Sequence, residues 1–324
     1  MSSIRVALVG ATGETGTSIV NGLLESSTSK FEITALARPE SLHKPEYVEL
    51  KNRGVRVVPC DLNGPQDALV SALSGIDIVI SAIFVGSLMD EIPLAEAAKR
   101  AGVKRFVQSA FVVILPPRGA VDFRDKRRFS TTSKSFVFRT RDASWWYQLT
   151  LPRLPSGRWD YALPTYVSEP RLGVDGNVPS ALADIRDVGR YVARVIADPR
   201  TLNKRVHVYS EVLTRNQVYD LVEKISGERL ERKYITAEEV TARIEEAQAS
   251  LQANPKSLEA FGALATQQLL LSWAIRGDNT PEYAGYLGYL DGKELYPDFE
   301  YVKFEDYVKA ALNGTIKGVY QPGK

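Results

Sequence analysis

The chain is short of the residues that metal, thiol and disulfide chemistry require. Its 324 residues include one cysteine, Cys60, and two histidines, His43 and His207. A lone cysteine closes no internal disulfide, so an oxidising compartment is not expected. The histidines stand far apart in sequence, with no cysteine or carboxylate at metal-ligand spacing, and no metal site is expected. A Gly-x-Ser-x-Gly elbow is missing, which argues against a serine hydrolase. Long apolar runs are missing too. The most apolar stretch, Ile76 to Val85, contains Asp77 and Ser81 and falls short of the ~18 residues of a membrane span. Neither sign of charge dominates: 41 Lys and Arg face 39 Asp and Glu, so no global field selects nucleic acid or an anionic membrane. An apolar strand begins within a few residues of Met1, leaving no room for a signal peptide, and the final Gln-Pro-Gly-Lys matches no lipidation or peroxisomal address. The expected setting is the cytoplasm.

What is present is an alternation of strands and helices. Ile4 to Val9 is a mostly apolar, β-branched run that reads as a buried strand, and Ser18 to Leu24 places Ile19, Val20, Leu23 and Leu24 on one helical face. Strands are expected at Phe31–Ala37, Val55–Val58, Ile76–Ile80 and Lys104–Gln108, with helices at Ala68–Leu73 and Pro93–Ala101, the latter capped by Gly102. This spacing predicts an α/β fold, a Rossmann-type doubly wound parallel sheet with a smaller α+β substrate domain. The expected division is 1–155 for the nucleotide-binding domain and 156–324 for the mainly substrate-binding domain, with a helix near 184–197 returning to the first. In the second half, Asn216–Ile225, Ala237–Gln252 and Leu258–Trp273 read as helices and Arg205–Tyr209 as a strand.

Directly after the first strand comes Gly10-Ala-Thr-Gly13-Glu-Thr-Gly16, followed by a helix. Glycines there permit a tight turn and let backbone N–H groups approach a pyrophosphate, while the helix N-terminus adds positive potential. Gly10, Thr12, Gly13, Glu14, Thr15 and Gly16 are therefore candidate cofactor contacts. At the end of the second strand, where an acidic residue would bond a ribose 2′-hydroxyl, the chain has Arg38. A guanidinium suits a 2′-phosphate, so the expected cofactor is NADPH. Asp61, after the third strand, is placed either to accept from the adenine amino group or to cap its own turn.

The glycine loop, Arg38, Asp77-Ile-Val-Ile-Ser-Ala82 and Val103-Lys-Arg-Phe-Val107 together resemble the isoflavone-reductase-like and NmrA-like atypical short-chain dehydrogenases, most of all their fungal branch. Trp145-Trp-Tyr-Gln148, Leu151-Pro-Arg-Leu-Pro-Ser-Gly157 and Asp184-Ile-Arg-Asp-Val-Gly189 extend the likeness through most of the chain. The resemblance implies NADPH-dependent reduction of a small aromatic, phenolic or polyketide-like metabolite by hydride transfer. It also implies a proton-transfer lysine at Lys126, early in the helix after the fifth strand. Tyr47 and Lys51 have the spacing of the ordinary short-chain Tyr-x-x-x-Lys pair, but they precede the third strand and are read as coincidence. Ser81, Ala82 and Ile83 after the fourth strand, and Ser109 and Ala110 after the fifth, are expected beside the nicotinamide, at the carboxyl ends of the strands. Phe111, Trp146 and Tyr147 are candidates for an aromatic wall against a flat substrate, although such residues are more often plain core. The alternative function is a non-catalytic NADP(H) sensor that regulates protein partners.

One stretch departs from the resemblance. Residues 118–141 carry eight basic and two acidic side chains, a local +6, and residues 127–135 are rich in Ser and Thr without an apolar stripe. Plausible codons for Phe129 to Thr140, read one nucleotide earlier, restore an amphipathic helix and the opening of a strand. Residues ~127–144 are therefore read as out of frame, with an inactive product as one consequence weighed, against the competing reading of a genuinely divergent basic loop.

Overall fold

The computed structural model describes residues 3–111, 113–116, 119–121, 145–163, 171–316 and 318. The first third of the chain builds the expected doubly wound sheet. Strands β1 (Ile4–Val9), β2 (Phe31–Ala37), β3 (Arg56–Pro59), β4 (Ile78–Ser81) and β5 (Arg105–Val107) pair in parallel in the order β3-β2-β1-β4-β5. Helices α1 (Glu14–Leu24), α2 (Pro45–Asn52), α3 (Gln66–Ala72) and α4 (Glu91–Arg100) connect them. The winding changes direction at β1, so a crevice opens between the carboxyl ends of β1 and β4, where such sheets hold their ligands.

Alternation along each strand divides the core in two. Val6, Leu8, Ile33, Ala35, Ile78 and Ile80 face one side with Ile19 and Leu23 of α1. Ala7, Val9, Leu36, Val79 and Phe106 face the other, against Leu69, Leu73, Leu94 and Ala97. With both faces covered, the buried stretches Val6–Val9, Ala35–Ala37 and Ile78–Ile80 read as short continuous apolar runs, which is why those strands are visible in the sequence. Helix α2 escaped that reading because only Tyr47 and Leu50 of its eight residues are buried.

The rest of the chain runs through β6 (Trp145–Trp146), a short α5 (Tyr147–Thr150), β7 (Leu172–Gly173), β8 (Pro179–Ala183) and α6 (Ile185–Ala197). It continues with β9 (Arg205–His207), β10 (Glu211–Thr214), α7 (Arg215–Ser226), β11 (Tyr234–Ile235), α8 (Ala237–Ala253) and α9 (Leu258–Leu270). Last come α10 (Pro281–Tyr286), β12 (Tyr289–Asp291), α11 (Gly292–Leu295) and α12 (Phe304–Leu312). The long helix expected over Leu258–Trp273 ends at Leu270 and passes into a π-helical turn, Leu271–Ile275. Small sheets, β10-β8-β6, β11-β7 and β12-β9, organise this α+β unit. Its main core joins Tyr147, Leu151, Leu154 and Trp159 to Val218 and Val222 of α7 and to Phe304, Tyr307 and Val308 of α12.

Helix α6 returns to the parallel sheet, where Val188, Val192 and Ile196 pack into the α1 side of the core. Two glycines make this contact close. A Cβ on Gly189 would fall 1.8 Å from the Ser18 carbonyl oxygen, and one on Gly22 would fall 2.2 Å from the Gly189 carbonyl. The Ser18 hydroxyl donates to the Ile185 carbonyl and accepts from the Gly189 N–H at 2.9 Å. Among the described residues, no helix is long and apolar enough to cross a membrane, and no group of three His, Cys, Asp or Glu could hold a metal.

Candidate nucleotide-binding site

The glycine loop leaves the carboxyl end of β1 at the crevice, and its three glycines serve three different ends. Gly10 has φ +80°, a left-handed conformation, and a Cβ there would lie 2.4 Å from the Ala82 carbonyl oxygen beyond β4. Gly16 sits in the first turn of α1, where a Cβ would meet the Gly10 carbonyl oxygen at 1.9 Å. Gly13 is the exposed residue of the three: it caps α1 without a side chain, and its own N–H donates to Gly10 at 3.0 Å. The loop is thus pulled tight against β4 and α1 on its inner side. Its outer side presents backbone and the half-buried Thr12, Glu14 and Thr15 at the amino end of an 11-residue helix. This is a cradle for an anion, built from N–H groups and the helix dipole.

Strand register decides what flanks it. Val9 pairs with Leu36 on one side and with Ser81 on the other. Arg38, two residues beyond Leu36, therefore stands beside the loop; its side chain is 74% exposed and only loosely paired with Glu40 at 3.5 Å. A guanidinium so placed is open to a phosphate. Asp61 follows Cys60, whose N–H donates to the Ala37 carbonyl at 2.7 Å. Its carboxylate accepts from the Asn63 N–H at 2.9 Å, so the turn-capping role is realised just beyond β3.

On the other flank lie the ends of β4 and β5. Ser81 is fully buried, with no hydrogen-bond partner for its hydroxyl among the described residues, and Ala82 donates its N–H to Val9 at 2.9 Å. Ser109 turns its hydroxyl onto the Ile83 carbonyl at 2.9 Å, and its N–H donates to Glu91 at 2.6 Å. Ala110 and Phe111 are buried, Phe111 within the core cluster on the α1 side of the sheet. Sequence reasoning missed Glu91, the first residue of α4, a carboxylate only 5% exposed that reaches the end of β5. It also missed Phe84 and Met89, large apolar side chains left 62% and 55% exposed just past β4. An apolar run continuing beyond the expected strand was the available signal for those two; nothing local marked Glu91.

Two expected wall residues fare differently from the loop. Tyr147 is a correction: it is fully buried among Phe304 and Tyr307, ring centroids 5.0 and 5.5 Å away, and its hydroxyl lies 3.0 Å from both the Glu211 carboxylate and the Val302 carbonyl. Burial, reinforced by the Glu211 charge, pushes its phenol far above the usual range. It is packing, not a substrate wall. Trp146 belongs to β6, but its side chain lies outside the described residues, as do Lys126 and the whole suspect stretch 127–144. Phe111, with 9% of its surface accessible, is core on the same evidence of burial.

The chain matches the NmrA-like family over residues 2–119 and 127–308, with Lys126 in the gap between the two segments. It is 51% identical, over 96% of both chains, to an asnovolin J 5′,6′-dehydrogenase of Aspergillus novofumigatus. It is 30% identical to a phenylcoumaran benzylic ether reductase of Nicotiana tabacum, covering 94% of this chain and 97% of that one. The structure of AtPrR2 with NADP+ and (+)-pinoresinol superposes with a TM-score of 0.72 at 25% identity, covering 96% of this chain and 99% of that one. The phosphate cradle, the strand order and these likenesses agree: the chain belongs to the NmrA-like family.

Proposed function

We propose that this protein is an NADPH-dependent oxidoreductase acting on a small aromatic, phenolic or polyketide-like secondary metabolite. The observation that carries the reading is the glycine cradle at the β1–β4 crevice with the exposed Arg38 guanidinium beside it. The residues fit the cofactor. Backbone N–H groups of the loop and of the first turn of α1 would hold the pyrophosphate, and Arg38 the 2′-phosphate. Asp61 would border the adenine end, while Ala82, Ile83, Ser109 and Ala110 would border the nicotinamide end. When bound, the cofactor supplies or accepts the hydride.

The chain's own contribution is position and one proton. Lys126 is the residue proposed to hold that proton, and Phe84 and Met89 offer apolar surface to a flat substrate where they stand exposed past β4. The 51% identity to a dehydrogenase favours an enzyme over a non-catalytic sensor. Nicotinamide absorbance during incubation with a panel of aromatic ketones, enones and quinones tests this. Turnover is expected, falling about 100-fold in Lys126→Ala. Tight NADPH binding with no turnover across the panel, and no effect of Lys126→Ala, would instead establish the sensor.

A further inference from the structure

Ladder pairing between β4 and β5 stops early. The last pair is Ile80 with Val107; one residue on, Ser81 is paired across to Val9 of β1. Beyond Val107 the two strand ends lack backbone pairing to each other, at the place where Ala82, Ile83 and Ala110 must present a fixed surface. Two side chains take over. The Ser109 hydroxyl donates to the Ile83 carbonyl at 2.9 Å, tying the end of β5 to the end of β4. The Glu91 carboxylate accepts the Ser109 N–H at 2.6 Å, tying the same point to the start of α4. Glu91 is 5% exposed, and burying a carboxylate is costly unless hydrogen bonds and dipoles compensate it. Ser109 supplies one such bond, and the amino end of α4 a favourable dipole.

The other half of the site is built without these groups. The glycine loop is held by Gly10, Gly13 and Gly16 against Ala82 and α1, and Arg38 and Asp61 ride on the ends of β2 and β3. The crevice therefore has two halves that meet at Ala82 and are fastened by different groups. We propose that Glu91 is a positioning residue that, through Ser109, fixes the nicotinamide half of the site and leaves the adenine–phosphate half untouched. This rests on the cofactor reading above.

Two probes separate the halves: NADPH, which spans the whole site, and adenosine 2′,5′-bisphosphate, which carries the adenine and 2′-phosphate but no nicotinamide. By calorimetry, Glu91→Leu should raise the NADPH Kd about five-fold or more, the effect of one buried hydrogen-bond donor left unmade. The bisphosphate Kd should stay within about two-fold. Glu91→Gln keeps an acceptor oxygen and should restore NADPH binding to within about two-fold, which a charge-independent hydrogen bond requires. Ser109→Ala keeps the N–H bond to Glu91 but loses the tie to Ile83, and should weaken NADPH alone, by less. Equal weakening of both probes in Glu91→Leu, no weakening of either, or failure of Gln to restore would overturn the proposal. Should the Leu variant not fold, Ser109→Ala decides: the absence of any NADPH-selective loss counts against it. Wild-type protein that binds neither probe would refute the cofactor reading instead, a separate outcome.

Discussion

Around the parallel sheet the buried side chains are mainly aliphatic, and close approach is secured by glycines: Gly10 against Ala82, Gly16 against Gly10, Gly22 and Gly189 between α1 and α6. In the second half, the buried set includes Asp184, Asp187, His207, Ser210, Arg215, Ser272, Asn279 and Tyr147, and approach is secured by hydrogen bonds. Asp187 takes bonds from the Ser210 hydroxyl, the Val302 N–H and Arg190 at 2.8–2.9 Å. Asn279 joins Ile114 to Ser180 and Ala181 through both ends of its amide. The first region is specified more by shape and the second more by polar pairing. The difference places the tolerance of the two regions on different axes: steric change should break the first, and proton or hydroxyl changes the second.

The largest effect is expected where shape is least forgiving. Gly189→Ala puts a methyl 1.8 Å from the Ser18 carbonyl oxygen, a clash only a separation of α1 and α6 relieves. Destabilisation of about 3 kcal/mol or more should follow, read from urea unfolding. A variant as stable as wild type would show that glycine contact is dispensable there.

The second region should fail by protonation. His207 in β9 lies opposite Asp291 of β12 and stacks on Tyr209 at 4.8 Å, and neither ring nitrogen has a hydrogen-bond partner among the described residues. Burial pushes its pKa down to about 4, Asp291 opposing weakly. Unfolded histidine titrates near ~6.5, so on acidification the unfolded chain gains this proton first. Stability from this group is complete above that pH and is lost as pH falls from ~6.5 towards 4, by about 3 kcal/mol in all. His207→Phe should flatten that part of the pH–stability curve, and an unchanged slope would remove His207 as its source.

The smallest effect sharpens the comparison within one residue. Tyr147→Phe keeps the ring among Phe304 and Tyr307 and deletes only the hydroxyl facing Glu211 and Val302. A loss of about 1–2 kcal/mol is expected by denaturant titration, with NADPH affinity unchanged, because the residue is core. Weakened cofactor or substrate binding at full stability would return Tyr147 to the wall.

This contrast also explains what was legible in the sequence. β1, β2 and β4 are buried on both faces over most of their length, so Val6–Val9, Ala35–Ala37 and Ile78–Ile80 are apolar without a gap. The glycine loop is equally plain, because its chemistry lies in seven consecutive residues. Arg38 is found by counting from it. Glu91 is not found that way, since its meaning depends on Ser109, eighteen positions on. Tyr147 was left open between wall and core for the same reason: an aromatic cluster does not separate the two until Glu211 and Val302, 64 and 155 positions away, are brought to its hydroxyl. The π-helical turn at Leu271–Ile275 follows a helix whose pattern gives no sign of stopping.

The central claim is that the cradle grips a pyrophosphate while Arg38 selects the additional phosphate. Isothermal titration of wild type and Arg38→Ala with NADPH and NADH tests it most directly. Wild type should favour NADPH by about ten-fold or more, the worth of a charge-assisted phosphate contact. In Arg38→Ala that preference should collapse while thermal stability holds, the side chain being 74% exposed. Binding of neither nucleotide, or a preference that survives the loss of Arg38, would contradict the account.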